Sequence, residues 1–540
     1  MQASSCDTSG EVTTVQKLCL VLLCLAGFWL RLRNLDQPSL WYDEILLPLS
    51  ASYPRSYFLT WLTTLEVHPP YPYLFVKGLM LLSPSDFALR APFALAGTAA
   101  IPLAFVVGRQ FRGATLGLWA ATVFTIDPLA VYLSRVVRPY AFLLCFELGA
   151  LYFLGAFFRD GRRRNLAYAA ACMSGMLLCH YAAIFFMGSV LAAFGAYFLQ
   201  DRTRTNLKTV GTLALYCLAA LLPVLYFLIR TFAIRAGWSG LQTFGSVLME
   251  YLKGAYGNIR FIDTMPTAIA AGAWLLVAIG LVRCFFKNRR LFVILAALFV
   301  LPGAAFVAFR HGYFLAPWHL SYLLPAAALG IAWALEGLPG ARRFTPVLAA
   351  TGSLLASAWL MQAAPHFYSP AGYAQAPKYI AKAVPGRIGP KDVTVLDPME
   401  YHEINWYLRQ FVTQNPLDWQ TVSPGPGDIA LHVIAAPNGA LAHLFKDEAE
   451  MLRTLGPVVS ATEAGTAKIY TWRLRREPVA GIAALPYEKT FDALPQHFYR
   501  DVSEAEGVLI YPYWYKLVTP SKNDVVSSFS YVIENSAAAP

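Results

Sequence analysis

The chain has 540 residues, 57% hydrophobic and only 14% charged, with a mean hydropathy of +0.47. A water-soluble fold does not carry that much apolar surface over such a length, so composition excludes a soluble globular protein and indicates a polytopic membrane protein. The net charge of +11 does not point to nucleic acid, because the bases cluster in short loops between apolar runs, the pattern that sets membrane orientation.

The first apolar run follows Lys17 and ends at Arg31 and Arg33. It lacks a small-residue cleavage site and reads as an uncleaved first transmembrane helix. No cysteine follows Cys284, so the C-terminal part offers no Cys-based zinc site or disulfide framework. Basic loops lie at 159–164, 201–208, 283–290 and 342–343, with a weaker one at 108–113. Placing them in the cytoplasm predicts spans at 17–33, 86–107, 113–132, 139–158, 165–181, 183–200, 209–231, 267–285, 291–309, 316–337 and 345–363. These are about eleven spans, which puts the N-terminus inside and everything after about residue 364 outside. Arg31 and Arg33, at the outer end of the first span, run against that bias.

Two outer loops are long. One covers about 34–85 and holds Asp43-Glu44, then the proline-rich Val67-His68-Pro69-Pro70-Tyr71-Pro72-Tyr73. The apolar run 73–82 is too short to cross and reads as interfacial or re-entrant. The other covers about 231–266, with Arg235, Trp238, Glu250, Lys253 and Arg260. From about 362 the composition becomes that of a soluble domain. Helices are expected at 373–383, 399–411 and 441–455, and strands at 392–396, 428–435 and 467–474, giving a small α/β layer. The domains are then 1–363, helical and membrane-embedded, and 364–540, outside the membrane. The last 60 or so residues show no pattern, and there is no internal repeat.

Four positions carry chemistry. A carboxylate of Asp43-Glu44 can act as general base or hold a divalent metal; the plainer reading is a solvated helix cap. His68, ahead of two prolines that fix an extended turn, can ligate metal or donate to a phosphate, or mark a rigid loop. In Ser134-Arg135-Val136-Val137-Arg138-Pro139-Tyr140 an arginine can fork onto a phosphate or simply snorkel. Arg90 has the same two readings, and Asp127-Pro128 a little deeper frees backbone groups that need protein or water to meet them. Pro317 to Pro325 contains His319 and Tyr322, of residue types also common at interfaces. All four positions fall on one side of the charge-derived topology, which favours a single site.

The motifs Ser39-Leu40-Trp41-Tyr42-Asp43-Glu44, His68-Pro69-Pro70 with Tyr71, Tyr73 and Lys77, Ala88-Leu89-Arg90-Ala91-Pro92, Arg138-Pro139-Tyr140-Ala141 and Tyr322-Leu323-Leu324-Pro325 occur in one order. In that order and rough spacing the chain resembles the polyprenyl-phosphate-dependent GT-C glycosyltransferases, in the branch of protein O-mannosyltransferases and aminoarabinose transferases. The likeness covers about residues 17–365. It implies an all-α polytopic fold with a smaller outer α/β domain, and transfer of a sugar from a polyprenyl-phosphate donor in the bilayer to an extracytoplasmic lipid, glycan or protein. It implies Asp43 as base or acceptor-orienting acid, with Glu44 beside it near a candidate divalent metal that His68 can share. It implies Arg138 as donor-phosphate contact, with Arg90 and Tyr140 in support, and His68, Tyr71, Lys77, His319 and Tyr322 as loop residues of the site. It points to a bacterial plasma membrane. Two positions depart from the pattern: Val136 where relatives usually carry an acid, and Ser321 where they usually carry arginine. A transporter or flippase, a non-catalytic scaffold, and a polymerase or ligase using a pyrophosphate-linked glycan are the rival readings.

Overall fold

The structure is a computed structural model. It describes residues 12–364 except 53–54, 65, 201, 236–266 and 309–316. Beyond 364 it describes 368, 378, 393–395, 406–407, 428–435, 449, 452–453, 457–464, 467–475, 502–506, 508–511, 517–520 and 528–531. The expected loop residues Trp238, Glu250, Lys253 and Arg260 lie outside the described residues. So does most of the three helices expected after 373. The chain forms two compact units, one of residues 1–37 and 50–369, the other of 38–49 and 370–540.

Among the described residues the secondary structure of the first unit is helical. α1 (Thr14–Leu32) opens with a capping box in which the Thr13 hydroxyl accepts from the Gln16 amide and the Gln16 side chain accepts from the Thr13 amide. α3 (Arg55–Thr64) and α4 (Pro70–Leu82) are short, and α4 starts on a proline, where a missing amide costs nothing. α5 (Asp86–Arg112), α6 (Ala114–Ile126), α7 (Pro128–Arg135), α8 (Tyr140–Asp160), α9 (Arg163–Cys179) and α10 (Ala183–Gln200) follow. Then come α11 (Arg204–Leu221), α12 (Leu225–Arg235), α13 (Thr267–Lys287) and α14 (Arg289–Ala308). A 3-10 turn, Pro317–Leu323, leads into α15 (Leu324–Glu336), and α16 (Ala341–Ala363) ends the series. Among the described residues six helices are long and apolar enough to span a bilayer, and the bent pair α6–α7 makes a seventh if it counts as one span. Helices occupy the other four expected spans as well, at α9, α13, α14 and α15. Large apolar side chains of α1, α11 and α16, such as Leu25, Leu215, Val347 and Leu355, are exposed, as a lipid-facing belt requires.

Asp127-Pro128 breaks the α6–α7 span by 57°. Asp127 caps both halves, its carboxylate accepting the Ala130 amide at 2.8 Å. Arg31 meets the carbonyls exposed by the break. Its Nη2 donates to Phe124 O at 2.7 Å and its Nη1 to Gly27 O at 3.1 Å, while Nε reaches the Ser134 hydroxyl at 3.2 Å. Arg135 returns the arrangement, donating to the Leu30 and Arg31 carbonyls at 2.8 and 3.0 Å beneath the Tyr368 ring. Arg31 and Arg135 are thus fully buried knots between α1, α6 and α7, which explains the charge that ran against the topology bias: Arg31 is a packing element.

At another end, Arg112 pairs with Glu336 at 3.1 Å, and Arg283 approaches the same carboxylate at 3.8 Å while donating to the Trp333 carbonyl. The predicted basic loops 108–113 and 283–290 therefore meet at one end of the bundle. Glu147 sits wholly buried in α8, and neither of its oxygens finds a partner among the described residues.

α13 and α15 pack through glycine: a Cβ on Gly280 would land on the Gly330 carbonyl. Gly280→Ala should lower stability by about 1–3 kcal/mol, the cost of overpacking a tight contact. Gly272→Ala on the same helix, with nothing within 4 Å of the new methyl, should not. Thermal unfolding of the two purified variants in detergent separates these outcomes.

In the second unit, β1 (Val393–Val395) pairs parallel with β2 (Asp428–Ala435), and β2 and β3 (Ser460–Ala464) each pair antiparallel with β4 (Ala467–Arg475), in the order β1-β2-β4-β3. The three expected strands are present almost to the residue, and β3 is additional. Ile469, Tyr470 and Trp472 are the buried side chains of β4. The terminal stretch, patternless in sequence, holds the ladders β5–β8 (Val502–Glu506 with Ser528–Tyr531) and β6–β7 (Val508–Tyr511 with Leu517–Pro520).

Candidate active site

The site is built outward from a carboxylate that the sequence reading passed over. Glu66 lies between α3 and α4, with 8% of its surface exposed. The chain turns so that Oε1 accepts the Val67 and His68 amides, both at 2.9 Å, and His68 Nδ1 at 2.6 Å. The Tyr73 phenol acts on the same carboxyl and helps to hold its charge. Pro69 and Pro70 follow, and Pro70 begins α4, so the backbone direction after His68 is fixed. Burial pushes the Glu66 carboxyl up, but the His68 hydrogen bonds and charge outweigh it and hold the group below its ordinary range. Facing an ionised carboxylate, His68 Nδ1 carries a proton, which leaves Nε2 as the nitrogen for chemistry.

Tyr73 links this loop to Arg138, whose charge acts on the phenol. Burial first, and the Glu66 charge next, push the phenol well above its ordinary range, so it stays a donor. The order is therefore Arg138 to Tyr73 to Glu66 to His68. From His68 a row of rings continues. His180, between α9 and α10, lies 6.5 Å from His68 between ring centroids, His319 lies 5.8 Å from His180, and Tyr140 lies 5.5 Å from His180. The loop is braced by α12. Arg230 donates to the Glu66 carbonyl, and Thr231 donates to the Val67 carbonyl at 3.1 Å.

The structure thus brings His68, Arg138, Tyr140 and His319 from the sequence expectation into one cluster. Tyr322 is buried, 6.4 Å from Phe185. Lys77 donates to the Ala51 carbonyl at 2.6 Å and lies over the Phe58 ring. Arg90 is buried and donates to the Leu35 carbonyl at 3.0 Å. Tyr71 is exposed and stacks on Phe75. Sequence reasoning missed Glu66, His180 and Arg230. An acid two residues before a histidine that precedes two prolines was the available signal for Glu66. The other two gave none, because single polar residues at span ends look like interface residues.

Asp43 and Glu44 lie in the first turn of α2 (Tyr42–Ala51), in the segment belonging to the second unit. Glu44 is fully buried and accepts the Trp41 amide at 3.2 Å, while Asp43 is half-buried. Leu40 N donates to the Tyr407 phenol at 2.5 Å, and the Ser39 hydroxyl accepts the Lys378 amide at 2.9 Å, which ties this segment to the rest of its unit. Among the described residues no group of three His, Cys, Asp or Glu side chains is placed to hold a metal ion, and the expected set of Asp43, Glu44 and His68 is no exception. His68 instead commits Nδ1 to Glu66.

Residues 67–227 match the family described as dolichyl-phosphate-mannose-protein mannosyltransferase. No curated protein sequence matches the chain. Among solved structures, ArnT from Cupriavidus metallidurans bound to undecaprenyl phosphate superposes with a TM-score of 0.56 at 13% identity, covering 84% of this chain and 97% of ArnT. The apo state of ArnT gives 0.55 at 14% identity over the same shares. The Archaeoglobus fulgidus oligosaccharyltransferase in complex with Zn and sulfate gives a weaker 0.46 at 15% identity, over 72% and 61%. The chain is thus similar to the mannosyltransferase family over part of its helical unit, and its fold is similar to that of ArnT.

Proposed function

We propose that the protein transfers a sugar from a polyprenyl-phosphate donor to an acceptor hydroxyl outside the cytoplasm. The observation that carries this is the linked set His68, Tyr73, Arg138, Tyr140 and His180, all inside the segment that matches the mannosyltransferase family. A cation held through a tyrosine to a carboxylate–imidazole pair suits a reaction that separates charge. The bond between the anomeric carbon and the phosphate oxygen breaks, its electron pair stays with the phosphate, and fixed positive charge stabilises that oxygen. Arg138 is assigned to the phosphate. The acceptor oxygen bonds the anomeric carbon from the opposite side as Asp43 takes its proton, so the configuration inverts. Glu66 fixes the ring of His68 and the phenol of Tyr73.

The donor chemistry matches the undecaprenyl phosphate to which ArnT is bound. The test supplies membranes containing the protein with a panel of polyprenyl-phosphate sugars. The expected result is free polyprenyl phosphate together with an acceptor heavier by one sugar. Consumption of a pyrophosphate-linked glycan instead would turn the reading to a ligase or polymerase. Release from no donor would reject transfer altogether.

A further inference from the structure

We infer that His180 and His319 bind the phosphate of the lipid-linked donor, as a second contact set beside Arg138. The inference rests on the glycosyltransferase reading and adds two residues to it. The three imidazoles come from three separate parts of the chain: the loop before α4, the loop between α9 and α10, and the 3-10 turn before α15. Nothing local in the sequence forces them together. They nevertheless form a continuous row, with His180 in the centre, 6.5 Å from His68, 5.8 Å from His319 and 5.5 Å from Tyr140. All three are only partly buried, unlike histidines that fill a core.

The spacing decides what such a row can do. It is too wide and too poor in ligands for a metal ion. The Glu66 carboxylate at one end is already met by His68 and Tyr73, and Arg138 stands beyond the phenol. His180 Nδ1 accepts the Ala182 amide at 3.1 Å, which leaves Nε2 as its donor, and ring N–H donors from neighbouring imidazoles beside the Tyr140 phenol match the clustered oxygens of a phosphate ester.

The experiment uses the full chain in nanodiscs and two probes, a prenyl methyl phosphate and inorganic phosphate. The diester does not titrate near neutral pH, so its own charge stays constant. Calorimetric affinity is measured for wild type, His180→Phe, His319→Phe and His180→Gln. Phenylalanine keeps a flat ring against Tyr140 and removes the donors; glutamine returns one donor near the outer ring nitrogen. Each Phe variant should weaken the prenyl ester about tenfold or more, the loss expected for a hydrogen bond to a charged group. His180→Gln should recover part of that loss. Unchanged melting temperatures show that the variants fold. Inorganic phosphate binding with the same losses identifies a general phosphate site, whereas losses confined to the prenyl ester identify the lipid headgroup as the ligand. Equal prenyl-ester affinity in wild type and both Phe variants overturns the inference and leaves the function standing. A wild-type chain that neither binds the ester nor releases sugar from any donor overturns both.

Discussion

Asp43→Asn should abolish sugar transfer while the chain still inserts and folds. The amide keeps the shape of the side chain and removes its ability to take a proton at neutral pH. General base catalysis contributes about 10²- to 10⁴-fold, so product should fall to the edge of detection. Glu44→Gln makes the contrast. Glu44 is fully buried and accepts the Trp41 amide, so its change should cost folding more than chemistry, about 1–3 kcal/mol for a perturbed buried polar group. Asp43 is the half-buried acid of the pair. Mass analysis of product from membranes supplied with lipid-linked sugar, with protein amount matched by immunodetection, checks both. Near-normal product from Asp43→Asn removes aspartate 43 from the base role, and Glu66 with His68 becomes the place to look for a proton acceptor.

Much of the fold was legible because lipid imposes a strict rule. Apolar runs of spanning length must be helices, and helices stand at every expected span. Asp127-Pro128 marked freed backbone groups within one expected span, and the structure bends that span there by 57°. The acidic pair at 43–44 was visible because two adjacent charges beside a span are costly and therefore conspicuous. Glu66 was not, since a single acid in a polar loop has a cheap explanation in solvent. Its importance comes from the backbone folding back onto it, which depends on torsions around Val67 and His68 rather than on composition. His180 and His319 come together only after α9, α10 and α15 pack, and no spacing in the sequence encodes that. Arg31 is the instructive case. Its position contradicted the charge bias of the first span, and the contradiction was itself the signal. A charge in the wrong place for topology is a candidate for burial, and Arg31 is buried against the broken span.

Glu66→Gln should cost at least about tenfold in transfer, and its effect should be inseparable from that of His68. The reasoning starts from the number of donors. Oε1 takes two amides and the His68 ring, and the Tyr73 phenol acts on the same carboxyl. Glutamine can still accept on its oxygen, but it brings two N–H groups into a site that holds only donors, so at least one buried donor loses its partner. His68 then loses the acceptor that fixes its ring, and Tyr73 loses its link toward Arg138. If the four residues act as one unit, Glu66→Gln, His68→Gln and the double variant should show similar losses, since once the pair is broken the second change removes little more. Additive losses would mean that the two residues work independently and that the loop is only a brace. Acid gives a second readout. The carboxyl is held below its ordinary range in the folded state, with burial opposing and His68 prevailing. Its stabilising contribution is therefore complete above the ordinary carboxylate pKa of about 4.3 and disappears as pH falls through the lower folded value. Wild type should lose stability over that acid window, and Glu66→Gln, which has no proton to gain there, should lack this part of the decline. Melting temperatures from about pH 6 down to pH 3, compared between the two proteins, test whether the charge on Glu66 rather than its shape holds the loop.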